Sequence, residues 1–298
     1  MTRARVLLTG ATGLIGRHAV APLRGAGYDV IALSRSGRDV AGAAGLAADL
    51  LNPDDLRRAV AGSGAAALVH LAWADGPDRW TTPANLDWAA ATLTLLRAFA
   101  DAGGRRALLA GSCAEYDWSQ PVLSETSPLN PATLYGAAKA RTGQLAVAAA
   151  PALGISLAWA RPFFVYGPDE PKGRLFGDLI RGIAAGLAVD CTDGEQRRDF
   201  LQVADLGAAL AAVLTSTAEG AVNVASGKAV AVKDMILTVA RQMGRPELVR
   251  LGARPRPAGD PACLQADVTR LRDEVGFTPR FDVESGIADV LRAEGVLP

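Results

Sequence analysis

A glycine-rich stretch, TGATGLIGRH, directly follows the apolar run ARVLL near the start of the chain. This order places Gly10, Gly13 and Gly16 in a turn between a predicted strand and a predicted helix. Glycines in such a turn allow the backbone to approach a pyrophosphate, which the N–H groups at the helix start then bind. The alternative is a turn whose glycines only pack the helix against the strand. Because the turn opens the first strand-turn-helix unit, the sequence favours a dinucleotide site.

Four further apolar runs alternate with helix-length amphipathic stretches, namely DVIALS, AALVHLA, RRALLAGS and ISLAWARP. This alternation predicts an α/β fold in which a Rossmann-type, doubly wound parallel sheet is covered by helices. After about residue 162 the predicted elements become shorter and less regular. We therefore expect a dinucleotide-binding Rossmann domain at residues 1–162. A smaller C-terminal α/β substrate-binding lobe is expected at residues 163–298, with some chain crossing between the lobes and the ligand between them.

The composition excludes several classes of function. Lysine plus arginine equals aspartate plus glutamate, at 31 each, so no charge excess suggests nucleic acid or an anionic membrane as a partner. No apolar run reaches the ~20 residues of a membrane span, and the N-terminal residues lack the features of a signal peptide. The three cysteines and two histidines show no metal-ligand spacing. We expect a cytoplasmic protein with a small-molecule ligand and no metal.

The end of the second predicted strand, IALSRSGR, bears on the choice between NAD and NADP. An acidic residue normally binds the adenosine ribose of NAD at this place. Ser34 and Arg35 occupy it here, and a hydroxyl and a guanidinium can bind a 2′-phosphate that a carboxylate would repel. NADP is therefore the better-matched cofactor, and NAD remains the alternative if Arg35 is only a solvated surface residue. Asp49 and Leu50, after the third strand, are expected to meet the adenine ring.

Tyr135 and Lys139 in LYGAAKA are four residues apart on a predicted helix, so their side chains lie on one face. A lysine cation beside the phenol is expected to lower a tyrosine pKa that begins near ~10 and to allow proton exchange close to neutral pH. Without the glycine turn upstream, this spacing would more often mark the surface of an amphipathic helix. The two motifs together indicate an oxidoreductase site.

Six motifs resemble, in order and spacing, the extended short-chain dehydrogenase/reductase family: TGATGLIG, HLAW, GSCAEY, YGAAK, RPFFVYGP and QRRDF. The branch that the chain resembles acts on nucleotide-diphosphate sugars and includes 4-epimerases, 4,6-dehydratases and 4-keto-sugar reductases. The resemblance implies that Tyr135 is the acid-base, that Ser112 is its catalytic partner and that Lys139 holds the nicotinamide ribose. It also implies that Arg198 grips the substrate diphosphate, with Arg256 a looser candidate for the same task.

The glycine turn and the resemblance together imply a larger cofactor site. Its expected residues are Gly10, Thr12, Gly13, Leu14, Ile15, Gly16, Ser34, Arg35, Asp49, Leu50, Leu71, Ala72, Tyr135, Lys139 and Pro162. The resemblance further implies a homodimer, paired through a four-helix bundle that uses the long helices predicted near residues 84–101 and 132–150.

Two departures from the family pattern bear on the reaction. The family's dehydratases need a carboxylate two residues after the catalytic serine or threonine, usually with an aspartate just before it, and this chain has Cys113 and Ala114 there. Without a carboxylic acid to protonate a leaving hydroxyl, dehydration is disfavoured. Glu115 lies one place too late and is expected to be structural or a loop contact. Phe164 replaces an asparagine that usually contacts substrate, so those contacts are expected to differ.

Two tryptophans flank the predicted site. Trp73 ends HLAW, where a small residue is common, and Trp118 follows the predicted catalytic turn. Either ring could narrow a sugar pocket, and either could equally belong to the core, as buried tryptophans most often do.

Three functions stay open at this point. The first is an NADP-dependent reductase of a nucleotide-diphosphate 4-keto-6-deoxysugar, in which Tyr135 donates the proton. The second is a nucleotide-sugar 4-epimerase that retains NAD(P). The third is a non-catalytic dinucleotide-binding protein, against which the intact Ser112, Tyr135 and Lys139 argue. The sequence LSRS, which matches NADP better than NAD, favours the reductase. A reductase must exchange its cofactor with a reducing pool, whereas epimerases of this family usually retain NAD.

Overall fold

The computed structural model describes residues 3–297. Its strands are β1 (Ala4–Thr9), β2 (Tyr28–Ser34), β3 (Ala44–Ala47), β4 (Ala67–His70), β5 (Arg106–Ala110), β6 (Val122–Leu123), β7 (Ser156–Pro162), β8 (Phe164–Tyr166), β9 (Val189–Asp190), β10 (Arg197–Gln202), β11 (Gly220–Val224), β12 (Ala229–Ala231), β13 (Val249–Arg250) and β14 (Cys263–Ala266). Its helices are α1 (Leu14–Gly25), α2 (Pro53–Ser63), α3 (Ala84–Asp101), α4 (Leu134–Ala149), α5 (Leu175–Ala184), α6 (Val203–Thr215), α7 (Val232–Gln242), α8 (Thr269–Asp273) and α9 (Val283–Ala293). Short 3₁₀ turns lie at Cys113–Glu115 and Pro246–Leu248.

The larger sheet has seven strands in the order β11-β7-β5-β4-β1-β2-β3, and every neighbouring pair is parallel. Helices α1, α6 and α8 contribute to an apolar core on one face, and α2, α3 and α4 contribute to a second core on the other. The predicted α/β fold with a doubly wound parallel sheet is confirmed. The strand order reverses between β1 and β4, and ligands bind at the carboxyl ends of the strands at such a point.

A second sheet runs in the order β12-β10-β14-β6, with β8 beside β10. Helices α5, α7 and α9 pack a third apolar cluster next to it. The short strand β6 lies in this sheet, whereas α6 and β11 at residues 203–224 lie with the larger one. The chain therefore crosses the division expected after residue 162 in both directions.

Local sequence sets where the helices near the site begin. Asn52 caps α2, since its side-chain oxygen accepts hydrogen bonds from the N–H groups of Asp54 and Asp55 at 3.1 Å. Thr133 caps α4 by accepting from the N–H of Gly136, also at 3.1 Å. The long helices predicted near residues 84–101 and 132–150 correspond to α3 and α4.

Among residues 3–297, no helix combines the length and the apolar character needed to cross a membrane. Within the same residues, no three His, Cys, Asp or Glu side chains come together in a cluster that could hold a metal ion.

Candidate active site

The glycine turn after β1 packs too closely to accept side chains. Gly10 has a φ of +73°, which residues other than glycine rarely adopt. A Cβ on Gly10 would lie 2.8 Å from the backbone nitrogen of Ala72, and a Cβ on Gly16 would overlap the carbonyl oxygen of Gly10. The start of α1 can therefore approach the ends of β1 and β4 only with glycine at these two positions.

The start of α1 can bind the phosphates of a dinucleotide. Its N-cap residue is Gly13, and among the described residues no side chain caps the helix, so the first-turn N–H groups are left for a ligand. Thr12 and Gly13 are exposed, and Leu14 and Ile15 are half-buried below them. These groups fit the pyrophosphate of NAD or NADP.

The other predicted cofactor residues follow the carboxyl ends of neighbouring parallel strands. Their places are Ser34 and Arg35 at the end of β2, Asp49 and Leu50 after β3, Leu71 and Ala72 after β4, and Pro162 at the end of β7. Ser112 follows β5 at the same edge of the sheet. The structure thus brings these residues to one edge, where a dinucleotide can span the switch point.

Thr9 and His70 fix the ends of β1 and β4. The Thr9 hydroxyl accepts the N–H groups of Leu71 and Ala72 at 3.2 Å and lies 2.7 Å from Nδ1 of His70. The other ring nitrogen of His70 lies 2.9 Å from the hydroxyl of Thr92. Burial lowers the pKa of His70 to about 3, so the ring is neutral at physiological pH and serves the packing of the strands.

The end of β2 presents a polar edge. Ser34 is half-buried, and its hydroxyl lies 3.4 Å from that of Ser36. Arg35 is exposed, and Gly37, with a φ of +60°, closes the turn behind it by donating to the carbonyl of Ser34 at 3.3 Å. A hydroxyl and a solvated guanidinium therefore stand where the sequence predicts a 2′-phosphate contact.

Ser112 begins the 3₁₀ turn after β5. Its hydroxyl accepts from the N–H of Ala114 at 3.2 Å, and its own N–H donates to Oε1 of Glu115 at 2.8 Å. This reciprocal capping box fixes the serine backbone. The first turn of α4, which carries Tyr135, packs closely on this turn, since a Cβ on Gly136 would overlap the carbonyl oxygen of Ala114. The turn that Ser112 begins therefore lies directly against the start of α4.

Glu115 is fully buried and paired. Its Oε2 lies 2.8 Å from Nε of Arg161, and the indole N–H of Trp159 donates to its Oε1 at 2.9 Å. Arg161 in turn donates to the hydroxyl of Tyr116 at 2.9 Å. The carboxylate therefore has the structural role expected from the sequence and does not reach a substrate.

Tyr135 lies in the first turn of α4 and is half-buried. Its N–H donates to the carbonyl of Trp80 at 3.1 Å, and the two rings meet edge to face with centroids 5.2 Å apart. Burial raises the pKa of Tyr135 to about 12, and the Ser112 hydroxyl opposes this shift. The predicted lowering of the tyrosine pKa is wrong for this structure, because burial of the phenol outweighs the groups that stabilise a phenolate.

Lys139 lies one helical turn after Tyr135 and is 3% exposed. Its Nζ donates to the carbonyl of Ala110 at 2.7 Å and lies 3.7 Å from the ring centroid of Trp73. Burial lowers the pKa of Lys139 to about 7, and the nearby Glu115 carboxylate opposes this shift. The lysine is therefore close to the midpoint of its titration at neutral pH.

The two positions at which dehydratases carry acids are buried and non-acidic. Cys113 and Ala114 are each 6% exposed. Burial raises the pKa of the Cys113 thiol to about 12, and the Glu115 carboxylate acts in the same direction. Neither side chain can protonate a leaving hydroxyl.

Arg198 is buried on β10, and its guanidinium donates three hydrogen bonds to protein acceptors. Its guanidinium donates to the carbonyls of Arg197 and Pro261 at 2.8 Å and forms an ion pair with Asp260. The same guanidinium lies 5.4 Å from the ring centroid of Phe164. The phenylalanine that replaces the family's asparagine therefore packs against this arginine.

Arg256 is more exposed and forms an ion pair with Asp193 at 2.7 Å. The hydrogen bond that Arg256 donates to Asp193, with a smaller contribution from the Asp260 carboxylate, raises the pKa of Arg256. Trp118 is half-buried, and its indole N–H donates to the carbonyl of Cys113 at 2.8 Å, so the ring packs against the turn that Ser112 begins.

Three residues around the site were not anticipated from the sequence: Arg161, Trp80 and Asn85. A signal existed for Arg161, because a buried glutamate needs a cationic partner and Arg161 lies on a predicted strand of the same sheet. Trp80 and Asn85 carry no comparable signal, since the packing of the loop between β4 and α3 brings them to the site.

Comparisons with known proteins agree with this geometry. The family model described as "NAD dependent epimerase/dehydratase family" matches residues 6–225. The UDP-glucose 4-epimerase of Azospirillum brasilense is 29% identical over 95% of this chain and 89% of its own length. A dTDP-4-dehydro-6-deoxy-D-allose reductase of a Streptomyces species is 30% identical over 96% of this chain and 95% of its own. MoeE5, solved in complex with UDP-glucose and NAD, is similar in structure with a TM-score of 0.85 and 30% identity, over 98% of this chain and 99% of its own.

Proposed function

This chain belongs to the NAD dependent epimerase/dehydratase family and is an enzyme, and we propose that it is an NADP-dependent reductase of a nucleotide-diphosphate 4-keto-6-deoxysugar. One observation carries the proposal: Ser112 and Tyr135 are paired on two packed elements, the turn after β5 and the first turn of α4, and this turn after β5 lacks the dehydratase acids. Such a pair can protonate a carbonyl oxygen, whereas water elimination needs a further acid. A relative of 30% identity named as a reductase of a dTDP-4-dehydro-6-deoxy sugar supports the same class of reaction.

Each catalytic residue has a distinct task in this reaction. Ser112 holds the keto oxygen by a hydrogen bond, and Tyr135 gives its proton to that oxygen as negative charge develops there. A phenol with a raised pKa stays protonated at neutral pH and is ready to donate. NADPH, when bound, supplies the hydride. Lys139, when charged, binds the nicotinamide ribose and stabilises the phenolate that Tyr135 becomes.

The cofactor is bound by the groups at the carboxyl edge of the larger sheet. The glycine turn and the uncapped start of α1 hold the pyrophosphate, and Leu71 and Ala72 lie along the cofactor. Ser34 and the exposed Arg35 bind the 2′-phosphate of NADP. A reductase consumes its cofactor, so a preference for NADP suits it better than it suits an epimerase.

The substrate diphosphate binds between the two parts of the molecule, at Arg198 with help from Arg256. Both guanidiniums form ion pairs with carboxylates, Arg198 with Asp260 and Arg256 with Asp193. A diphosphate accepts the same kind of charge-assisted hydrogen bond, so its oxygens replace these carboxylates as the partners of the two arginines.

The chain forms a homodimer through α3 and α4 in this proposal. Leu86 on α3 is 60% exposed and Leu145 on α4 is 55% exposed, so both helices present apolar side chains to solvent.

Leu86→Glu combined with Leu145→Glu should give a monomer in light scattering. Leu187→Glu, a change at a side chain 61% exposed after α5, should leave the dimer intact. A wild-type protein that is monomeric would contradict the proposal.

The reductase proposal is tested with purified protein, NADPH and a series of 4-keto-6-deoxy sugars linked to dTDP, UDP or GDP. At least one sugar should be reduced with loss of NADPH absorbance, and the product should carry a new hydroxyl at C4 by NMR. No NADPH consumption with any of these sugars would overturn the proposal.

A 4-epimerase is the second candidate, and the similarity to the UDP-glucose 4-epimerase of Azospirillum brasilense favours it. The same Ser112, Tyr135 and Lys139 would serve an epimerase, because oxidation and reduction at one carbon use one acid-base pair. The two functions differ in cofactor use. Bound NAD recovered from the purified protein, with interconversion of two sugars and no net cofactor consumption, would select the epimerase.

A further inference from the structure

The loop between β4 and α3 covers the catalytic tyrosine and lysine with two tryptophans. Trp73 is the third residue after the end of β4, and its ring centroid lies 3.7 Å from Nζ of Lys139. Trp80 meets the ring of Tyr135 edge to face. Because Lys139 is almost fully buried, its ammonium group has lost most of its water and depends on these protein contacts.

The indole of Trp73 is held in place independently of the lysine. Its N–H donates to Oδ1 of Asn85 at 2.8 Å, and the amide nitrogen of Asn85 donates to the carbonyls of Arg79 and Thr82 at 2.9 Å. Asn85 is fully buried in the first turn of α3. The loop backbone and the indole therefore share one anchor, which fixes the ring face against Lys139.

The donors of the ammonium group leave room for one ligand contact. A lysine ammonium has three N–H groups. One donates to the carbonyl of Ala110 and a second meets the indole face of Trp73. The third is left for the cofactor ribose. The ionisable groups that act on the lysine are Glu115 from the turn after β5 and neutral His70 from β4, and Tyr135 lies one turn earlier on the same face of α4.

We propose that Trp73 is a positioning residue whose indole face binds the Lys139 ammonium, favouring the charged form of this lysine and directing its free N–H at the cofactor ribose. The role at the ribose rests on the proposed function, whereas the contact itself is independent of it. An indole face attracts a cation and gains nothing from a neutral amine, so it favours the charged form. It therefore acts in the same direction as Glu115, against the effect of burial.

The contact can be measured directly, because the sequence has four lysines: Lys139, Lys172, Lys228 and Lys233. In protein labelled with ¹³C-lysine, each Cε signal titrates with its own ammonium group, and a Lys139→Arg variant assigns the signal of interest. In Trp73→Leu the pKa of Lys139 should fall by about one unit, while the other three lysines stay unchanged. Trp80→Leu, which removes a tryptophan from the same loop but not from the ammonium, should leave the Lys139 titration in place.

If Trp73→Leu does not fold, the Lys139 pKa is measured instead in protein labelled with fluorinated tryptophan. Fluorine weakens the negative face of the ring with little change in shape, so each added fluorine should lower the Lys139 pKa further. In a Trp73→Phe background the same labelling should have no effect on that pKa. An unchanged Lys139 titration in both Trp73→Leu and the fluorinated wild type would overturn the proposal. Because no turnover is measured, this result stands apart from the reductase assay.

Discussion

The carboxylate of Glu115 lies 2.8 Å from Nε of Arg161 in a buried ion pair behind the catalytic serine. The same carboxylate accepts the backbone N–H of Ser112 at 2.8 Å. Removing one partner of a buried ion pair leaves an uncompensated charge, which costs about 3–5 kcal/mol. The position of Ser112 is therefore tied to a contact on which the stability of the chain depends.

Glu115→Gln should lower the free energy of unfolding by about 3–5 kcal/mol in urea denaturation. The matched control is Asp101→Asn, which removes the exposed ion pair with Arg97 on α3 and should cost less than about 1 kcal/mol. If Glu115→Gln were as mild as this control, the buried pairing of Arg161 would be incorrect.

Tyr135→Phe should bind NADPH as the wild type does and lose activity by about 10²–10⁴-fold, since only the proton donor is removed. Cofactor affinity is measured by titration of the purified variant and turnover by product formation. Tyr28→Phe, at the far end of β2, should keep wild-type activity. Full activity in Tyr135→Phe would show that another group donates the proton.

Arg35→Ser should weaken NADPH binding by about 10–100-fold, because a charge-assisted hydrogen bond to the 2′-phosphate is lost. NADH lacks this phosphate, so its affinity should change little. Arg57→Ser removes an exposed arginine from α2 and should affect neither cofactor. An equal affinity for NADPH in Arg35→Ser and the wild type would contradict the proposed cofactor preference.

Lys139→Met should raise the melting temperature more at pH 6 than at pH 9. The folded protein releases the Lys139 proton at about pH 7, whereas the unfolded chain keeps it to about 10.5. Between these values the unfolded state binds more protons, so stability contributed by Lys139 rises with pH. At pH 6 Lys139 is charged in the folded state, and burial of this charge destabilises the protein. Methionine carries no charge, so this destabilisation is absent from the variant. A stabilisation independent of pH would show that the lysine is not desolvated as described.

Much of the fold follows from the sequence because buried parallel strands are continuous apolar runs. The five runs from ARVLL to ISLAWARP all lie in the larger sheet. The run GAVNV at β11 is also mainly apolar, but its sequence does not indicate which of the two sheets the strand joins. Packing beside β7 decides this. The same holds for the two residues of β6, which are too few to carry a pattern.

The shared position of two proposed catalytic residues was predictable from the sequence, because helix geometry fixes it. Tyr135 and Lys139 share one face of α4 because their spacing is close to one helical turn. The pKa of Tyr135 was not predictable, since it depends on how far burial removes the phenol from water. The contact between Trp73 and Lys139 depends on the path of the loop at residues 71–83 and on its anchor at Asn85, which no local pattern encodes.

The most direct test of the proposed reduction uses NADPH that carries deuterium on the transferred position, with a nucleotide-linked 4-keto-6-deoxy sugar. The sugar product should be one mass unit heavier, with the deuterium at C4 by NMR, in proportion to the NADPH consumed. A product without deuterium, or sugar interconversion without cofactor consumption, would contradict it.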